Sequence, residues 1–521
     1  MARTIIDFLN EQARAAASGE GHISFHMPGH KGRAVLYEKT GYGDFIRGIT
    51  ACDITEIPGA DALFCPETTL RAVMDNYADL YGVRHTELLV NGSSTGVMAA
   101  VIGTVPVGGK LILGRNSHHS AFSALRLGGI NPVYVRPRTD PRSGLVSEIG
   151  EAELREACAA NPDADAVLIA SPNYYGILSD IAALAAVAHE YDMLLIVDQA
   201  HGAHLRFFDY DAEALLEDGQ HVPFPRHSAE ALGADIVVNS THKTLLSFTG
   251  SSILNICSDR VDIASVSDAI RMLQTTSPSY LLMGSLDINE RIMRDHGAAL
   301  IGRWRDDLMK FYRRLQKIPG VEVIGSRPAD SEDPSHGRET SGAAEAAMFP
   351  MYHRRAGLDM TKVNISMSPL GISGAALDRE LRHRGIIAEM VHGDYVMLMT
   401  GIGNVSGDYG KVLEALLEIS GNYPIVDYSK GRRASEPRAA ADFELEVAGV
   451  PFEAELVPLY SADGRVLYDP FIVYPPGTPI ACPGEILTPE VLAYISEAIA
   501  RGEKVTGVDE EGLVRVEASH R

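Results

Sequence analysis

The chain has 521 residues, of which 45% are hydrophobic and 22% charged, and its formal net charge is −23 at pH 7. Such a length allows roughly two to four domains with a large core, and the acidic balance argues against general nucleic-acid binding, which needs a basic face. No apolar run approaches the roughly 20 residues of a membrane span, and the scattered Cys52, Cys65, Cys158, Cys257 and Cys482 form neither a disulfide framework nor a zinc motif.

Residues 5–17 have helical character and lead into the loop-rich His26-Met27-Pro28-Gly29-His30-Lys31-Gly32. The start carries no signal-peptide pattern, so a reducing cytoplasm is the expected compartment. From about Thr86, apolar runs at 87–90, 110–113, 132–135, 166–170, 193–197 and 235–238 alternate with amphipathic segments at 94–103, 120–127, 151–160 and 181–191. Strands apolar throughout and separated by helices predict a mostly parallel α/β sheet covered on both faces. Ligands of such sheets bind outside the carboxyl ends of the strands. A long helix is expected around 286–316, then an exposed polar insertion at 326–341. Residues 362–399 have strand-helix-strand character, and 431–441 read as a linker. The expected division is an N-terminal arm (1–60), a large domain (61–317), a small α+β domain (318–430) and a C-terminal domain (431–521).

The chemically suggestive residues follow the predicted strands. After Val90 comes Asn91-Gly92-Ser93-Ser94-Thr95-Gly96, a small-residue turn before a helix. It is either an ordinary N-cap turn or an anion site in which N–H groups and hydroxyls hold a phosphate. Arg115-Asn116-Ser117-His118-His119-Ser120 follows the next strand, and His118 there is either a loop histidine or one stacked on a flat ring. Asp198 closes a strand before Gln199-Ala200-His201-Gly202-Ala203-His204. A buried carboxylate needs a partner, whether a salt bridge, a metal or a protonated pyridine nitrogen. Ser240-Thr241-His242-Lys243 ends the run. Burial lowers the pKa of such a lysine and makes it a nucleophile able to form a Schiff base. A zinc cluster of His118, His119, Asp198, His201, His204 and His242 is the competing assignment, but it leaves Lys243 and the small-residue turn without a role.

These segments resemble the Orn/Lys/Arg decarboxylase family, pyridoxal 5′-phosphate (PLP)-dependent enzymes of the aspartate-aminotransferase fold (fold type I). The resemblance extends to Phe25 to Gly32, Thr275-Thr276-Ser277-Pro278-Ser279-Tyr280, Asp359-Met360-Thr361-Lys362, Tyr474-Pro475-Pro476-Gly477 and Pro483-Gly484-Glu485. It implies that Lys243 carries PLP, that Asp198 pairs with the pyridine nitrogen and that His118 stacks on the ring. It also implies that Ser94, Thr95, Ser240 and His242 hold the phosphate, and that Thr276 reaches the neighbouring subunit's site, making a homodimer the smallest active unit. No metal is implied. The expected reaction is decarboxylation of lysine, arginine or ornithine, with Lys243 or His201 returning the proton to the α-carbon. A cationic side chain needs a carboxylate at the far end of its pocket, and Glu485 and Asp61 are the candidates. An aminotransferase, a decarboxylase of another amino acid and a PLP-binding regulatory protein are the alternatives. The chain departs from the family pattern at Gly59 to Phe64, at His119 and at Gln199, and because it reaches His26 almost at once the N-terminal wing domain of the larger members is expected to be missing.

Overall fold

The computed structural model describes residues 23–518 apart from 26–27, 32, 58–59, 141–142, 144, 209–212, 216–220, 224–226, 325–356, 425–442, 475–478 and 501. The helix expected at 5–17, the insertion at 326–341, the linker at 431–441, His26, Met27, Gly32 and Pro475 to Gly477 lie outside the described residues.

The large domain is built on β1 (His85–Leu89), β2 (Lys110–Gly114), β3 (Asn131–Val135), β4 (Ala166–Ala170), β5 (Leu194–Asp198), β6 (Ile236–Asn239) and β7 (Ser252–Ile256). Their order across the sheet is β1-β7-β6-β5-β4-β2-β3. From β6 to β3 all neighbours are parallel, whereas β7 runs antiparallel to both β6 and β1. The helices are α1 (Gly92–Ile102), α2 (His119–Gly128), α3 (Glu151–Ala160), α4 (Ile181–Glu190), α5 (Ile263–Leu273) and the 36-residue α6 (Tyr280–Leu315). Strand side chains alternate between faces, and the core splits accordingly. Leu111, Leu113, Leu168 and Ile196 pack with Val97 of α1 and Leu125 of α2. Ile112, Val167, Leu195 and Val197 pack with Leu154 of α3 and Leu184 of α4. Both faces are covered and buried, which is why these strands lack polar alternation.

The small domain has four antiparallel strands, β8 (Glu322–Val323), β9 (Lys362–Ser366), β10 (Met390–His392) and β11 (Tyr395–Met399), in the order β8-β9-β11-β10. The helices α7 (Gly374–His383) and α8 (Ser406–Asn422) accompany it. Trp304, Phe311 and Tyr312 of α6 share one core with Val363, Ile365 and Leu398, so this helix joins the small domain to the large one. The segment Ile23–Phe25 pairs in parallel with Ile386–Ala388 and ties the N-terminal arm to the small domain. Beyond residue 443 the chain has a separate core containing Phe443, Leu467, Phe471, Leu487 and Ile495.

Candidate active site

Lys243 lies in the short helix Thr241–Thr244 that follows β6, and its Nζ is 3.0 Å from His201 Nε2. Burial pushes the Lys243 ammonium down to about 8, against the attraction of Asp198 and Glu389 and with the repulsion of Lys362. His201 is buried, and desolvation followed by the nearby Lys243 charge holds it well below its ordinary value, so the ring is neutral. A protonated Lys243 therefore donates to His201 Nε2. The Tyr174 ring centroid lies 4.5 Å from that of His201.

Asp198 ends β5 and is 8% exposed. It accepts the Ala200 N–H at 3.1 Å, and burial raises its pKa despite the pull of Lys243. His118 caps α2, its Nδ1 accepting the Ser120 N–H at 3.3 Å. Burial, then His119 and Lys243, push His118 down to about 3. At the start of α1 the structure places Ser94 and the buried Thr95 in the first turn, and Ser240 Oγ donates to Ser93 Oγ at 2.8 Å. Ser93 was not singled out from sequence, yet it joins this turn to the lysine segment. The N-terminal arm packs against the lysine segment. Gly29 N donates to the His242 carbonyl at 2.8 Å and Gly403 N to the Gly29 carbonyl at 3.0 Å. A Cβ on Gly29 would sit 2.3 Å from the Leu245 carbonyl oxygen, so only glycine allows this approach.

The zinc alternative is not assembled. His242 Nδ1 meets the Ser251 carbonyl at 2.8 Å, and His204 Nε2 meets Asp359 Oδ1 at 3.1 Å. Among the described residues no group of three or more His, Cys, Asp or Glu could hold a metal ion.

A family model described as "Orn/Lys/Arg decarboxylase, major domain" matches residues 12–408, and one described as "Orn/Lys/Arg decarboxylase, C-terminal domain" matches 436–519. The chain belongs to the Orn/Lys/Arg decarboxylase family. It is 30% identical over 508 residues to an arginine decarboxylase of Bacillus subtilis, covering 94% of this chain and 93% of that protein. It is 22% identical to a lysine decarboxylase of Pseudomonas aeruginosa, covering 90% and 73% respectively. The solved structure of lysine decarboxylase A from Pseudomonas aeruginosa superposes with a TM-score of 0.71 at 20% identity, covering 99% of this chain and 83% of that one, a likeness of fold.

Members of the family are PLP-dependent carboxy-lyases acting on basic amino acids, and this site fits that cofactor. It offers a lysine with a depressed pKa, a buried carboxylate for a ring nitrogen, and hydroxyls at the N-terminus of α1 for a phosphate. His201 Nδ1 is buried with no hydrogen-bond partner among the described residues, a polar atom open to a bound molecule.

Both substrate carboxylates expected from sequence are corrected by their surroundings. Glu485 is 2% exposed and takes Arg115 Nη2 at 2.6 Å and the Cys482 N–H at 2.7 Å, welding the C-terminal unit to the end of β2. Asp61 Oδ2 accepts the N–H groups of Glu67, Thr68 and Leu70, and its Oδ1 accepts the Thr68 hydroxyl at 2.6 Å. These bonds, led by that of Thr68, hold its pKa down to about 2. It serves the entry of the helix Thr69–Tyr81. Thr276 is exposed. Asp359 and Lys362, which the sequence marks only as part of a family segment with no assigned role, lie at this site, and Glu389 has no sequence signal at all. Glu389, half-buried just before β10, lies close enough to Lys31, Lys243 and Lys362 to favour the charged form of each.

Gln199 is explained by Glu230. Its Nε2 donates to Glu230 Oε2 at 3.0 Å and its Oε1 accepts the Ala229 N–H at 2.9 Å, while Asn239 and Asn255 donate to Glu230 Oε1. A glutamate at 199 would bring two carboxylates together inside the protein. Gln199→Glu should therefore lower unfolding stability by roughly 3 kcal/mol in urea titrations at neutral pH. Adding Glu230→Gln should recover most of the loss, and no recovery would refute the pairing.

Proposed function

We propose that the chain decarboxylates arginine, with Lys243, His201, Asp198 and His118 as its working residues and the cationic head of the substrate drawn to Glu389. The observation that carries the reading is the Lys243–His201 contact of 3.0 Å beside the buried Asp198. When bound, PLP supplies an electron sink for the pair released as CO₂ leaves. Asp198 holds a negative charge where the ring nitrogen must stay protonated. His118, kept neutral by burial, offers an uncharged ring face. Ser94, Thr95, Ser240 and His242 supply the phosphate-side donors. Lys243 and the neutral His201 share a proton over one hydrogen bond, which suits its return to the α-carbon. Arginine is favoured over lysine because the arginine decarboxylase of Bacillus subtilis is the more similar relative, at 30% against 22%, and is matched along 93% of its length. The exposed Thr276 is available to a second copy of the chain, consistent with a homodimer. We place the enzyme in polyamine metabolism on the amine such a reaction releases, and in a reducing cytoplasm on its five scattered free cysteines.

Incubation of the PLP-loaded protein with arginine, lysine and ornithine separately, followed by mass analysis, should show agmatine as the dominant product. Dominant cadaverine or putrescine would overturn the substrate, and a keto acid without CO₂ would overturn the reaction. Glu389→Gln should raise the KM for arginine roughly 10- to 100-fold, the scale of a lost hydrogen bond to a charged group. An unchanged KM would remove Glu389 from the substrate pocket.

A further inference from the structure

The loop Asp198 to His204 is held from below by a buried cation of the small domain. Lys362 opens β9 and is 0% exposed, a position where an ammonium needs full pairing. Its Nζ donates to Asp359 Oδ2 at 2.6 Å, to Thr361 Oγ1 at 3.2 Å and to the backbone carbonyl of His201. Asp359 is held in turn. Its Oδ1 accepts the Thr361 N–H at 3.0 Å and the Thr361 hydroxyl at 2.7 Å and meets His204 Nε2 at 3.1 Å. Gly176, at φ +87°, leaves room for the lysine stem, since a Cβ there would lie 2.9 Å from Lys362 Cβ. The ammonium thus has one fixed place, and the residue whose carbonyl it grips carries the ring that touches Lys243.

We propose that Lys362 is a positioning residue for this site: clamped by Asp359, it fixes His201 against Lys243 and, when protonated, sets a second ammonium near the Lys243 amine. An interdomain weld alone would not need a charge, because an apolar contact of similar volume joins buried surfaces at least as well. The charge acts in a defined company. Asp198 and Glu389 favour the protonated form of Lys243, Lys362 disfavours it, and His118, His201 and His242 are the imidazoles within reach of the Lys243 charge. Burial lowers the pKa of Lys362 itself, and Asp359 and Glu389 oppose that by favouring its charge. His204 and Lys31 complete the set, His204 by its contact with Asp359 and Lys31 by its repulsion from Lys362.

The proposal rests on Lys243 being the reactive lysine, and its test is made on the PLP-free protein. Acetic anhydride is applied across a pH series, and acylation of Lys243 is quantified by peptide mass analysis. Lys362→Met should move the Lys243 titration upward by about one pH unit. Lys362→Arg, which keeps the charge, should leave it within a few tenths of a unit. If Lys362→Met does not fold, Lys362→Gln keeps a donor for the His201 carbonyl without the charge and should show the same upward shift. A Lys243 titration unmoved in the folded neutral variants, or moved equally in the arginine variant, would overturn the proposal. Turnover by a Lys243→Ala variant would instead overturn the assignment of Lys243, so the two failures are distinct.

Discussion

Lys243→Ala should lower kcat by more than roughly 10⁴-fold and abolish the violet absorbance of the PLP-loaded protein. The reason is that one amine serves both to bind the cofactor covalently and to exchange a proton with His201, and loss of a proton-transfer group alone lowers rates by roughly 10²–10⁴. The same residue should act oppositely on stability. In the folded chain Lys243 titrates at about 8, below its ordinary 10.5. The native state therefore binds fewer protons than the unfolded one between these values, so stability rises with pH across that window. The penalty is complete below pH ~8 and fades toward pH ~10.5, amounting to about 3 kcal/mol at neutral pH. Lys243→Met, which keeps the volume, should thus unfold at higher urea in the PLP-free protein at pH ~7 and lose that advantage near pH ~10.5. A methionine variant that is less stable at both pH values would contradict the burial argument, and one that keeps turnover would contradict the site.

The large sheet was legible because both its faces are covered. Runs such as Ala166-Val167-Leu168-Ile169-Ala170 show no polar alternation, and their spacing leaves room for a helix between successive strands. The reversed direction of β7 left no such trace, since Ser252-Ile253-Leu254-Asn255-Ile256 reads alike in either orientation. Lys243 and Asp198 were visible as ionisable groups at the ends of apolar strands, where an unpaired charge is costly. Glu485 was misread because a carboxylate in a Pro-Gly loop looks the same whether it faces a substrate or Arg115. Asp61 was misread similarly, its hydrogen bonds being to backbone N–H groups that carry no side-chain signature. Glu389 stands 146 positions beyond Lys243 (389 − 243) in a short turn with no local motif. Only packing of the small domain brings its charge to Lys243, and local sequence does not record that packing.

Asp198→Asn tests the other half of the site by the same opposition of signs. The isosteric amide keeps the shape at the end of β5 but removes the charge that would keep a ring nitrogen protonated. kcat should fall by roughly 10²–10⁴, the range expected when a preorganised charge is removed from a water-poor site, and the variant should release PLP more readily on dialysis. In the PLP-free protein burial raises the Asp198 pKa, the desolvation outweighing the attraction of Lys243. A carboxyl raised in this way supports folding while protonated at acid pH and loses that support as pH rises through its folded value. At neutral pH the PLP-free Asn variant should therefore be at least as stable as the wild type, while the PLP-loaded variant should be less stable, because binding now contributes less. The two melting curves should cross on addition of PLP. Curves lowered by the substitution to the same extent with and without PLP would show that Asp198 serves the fold alone.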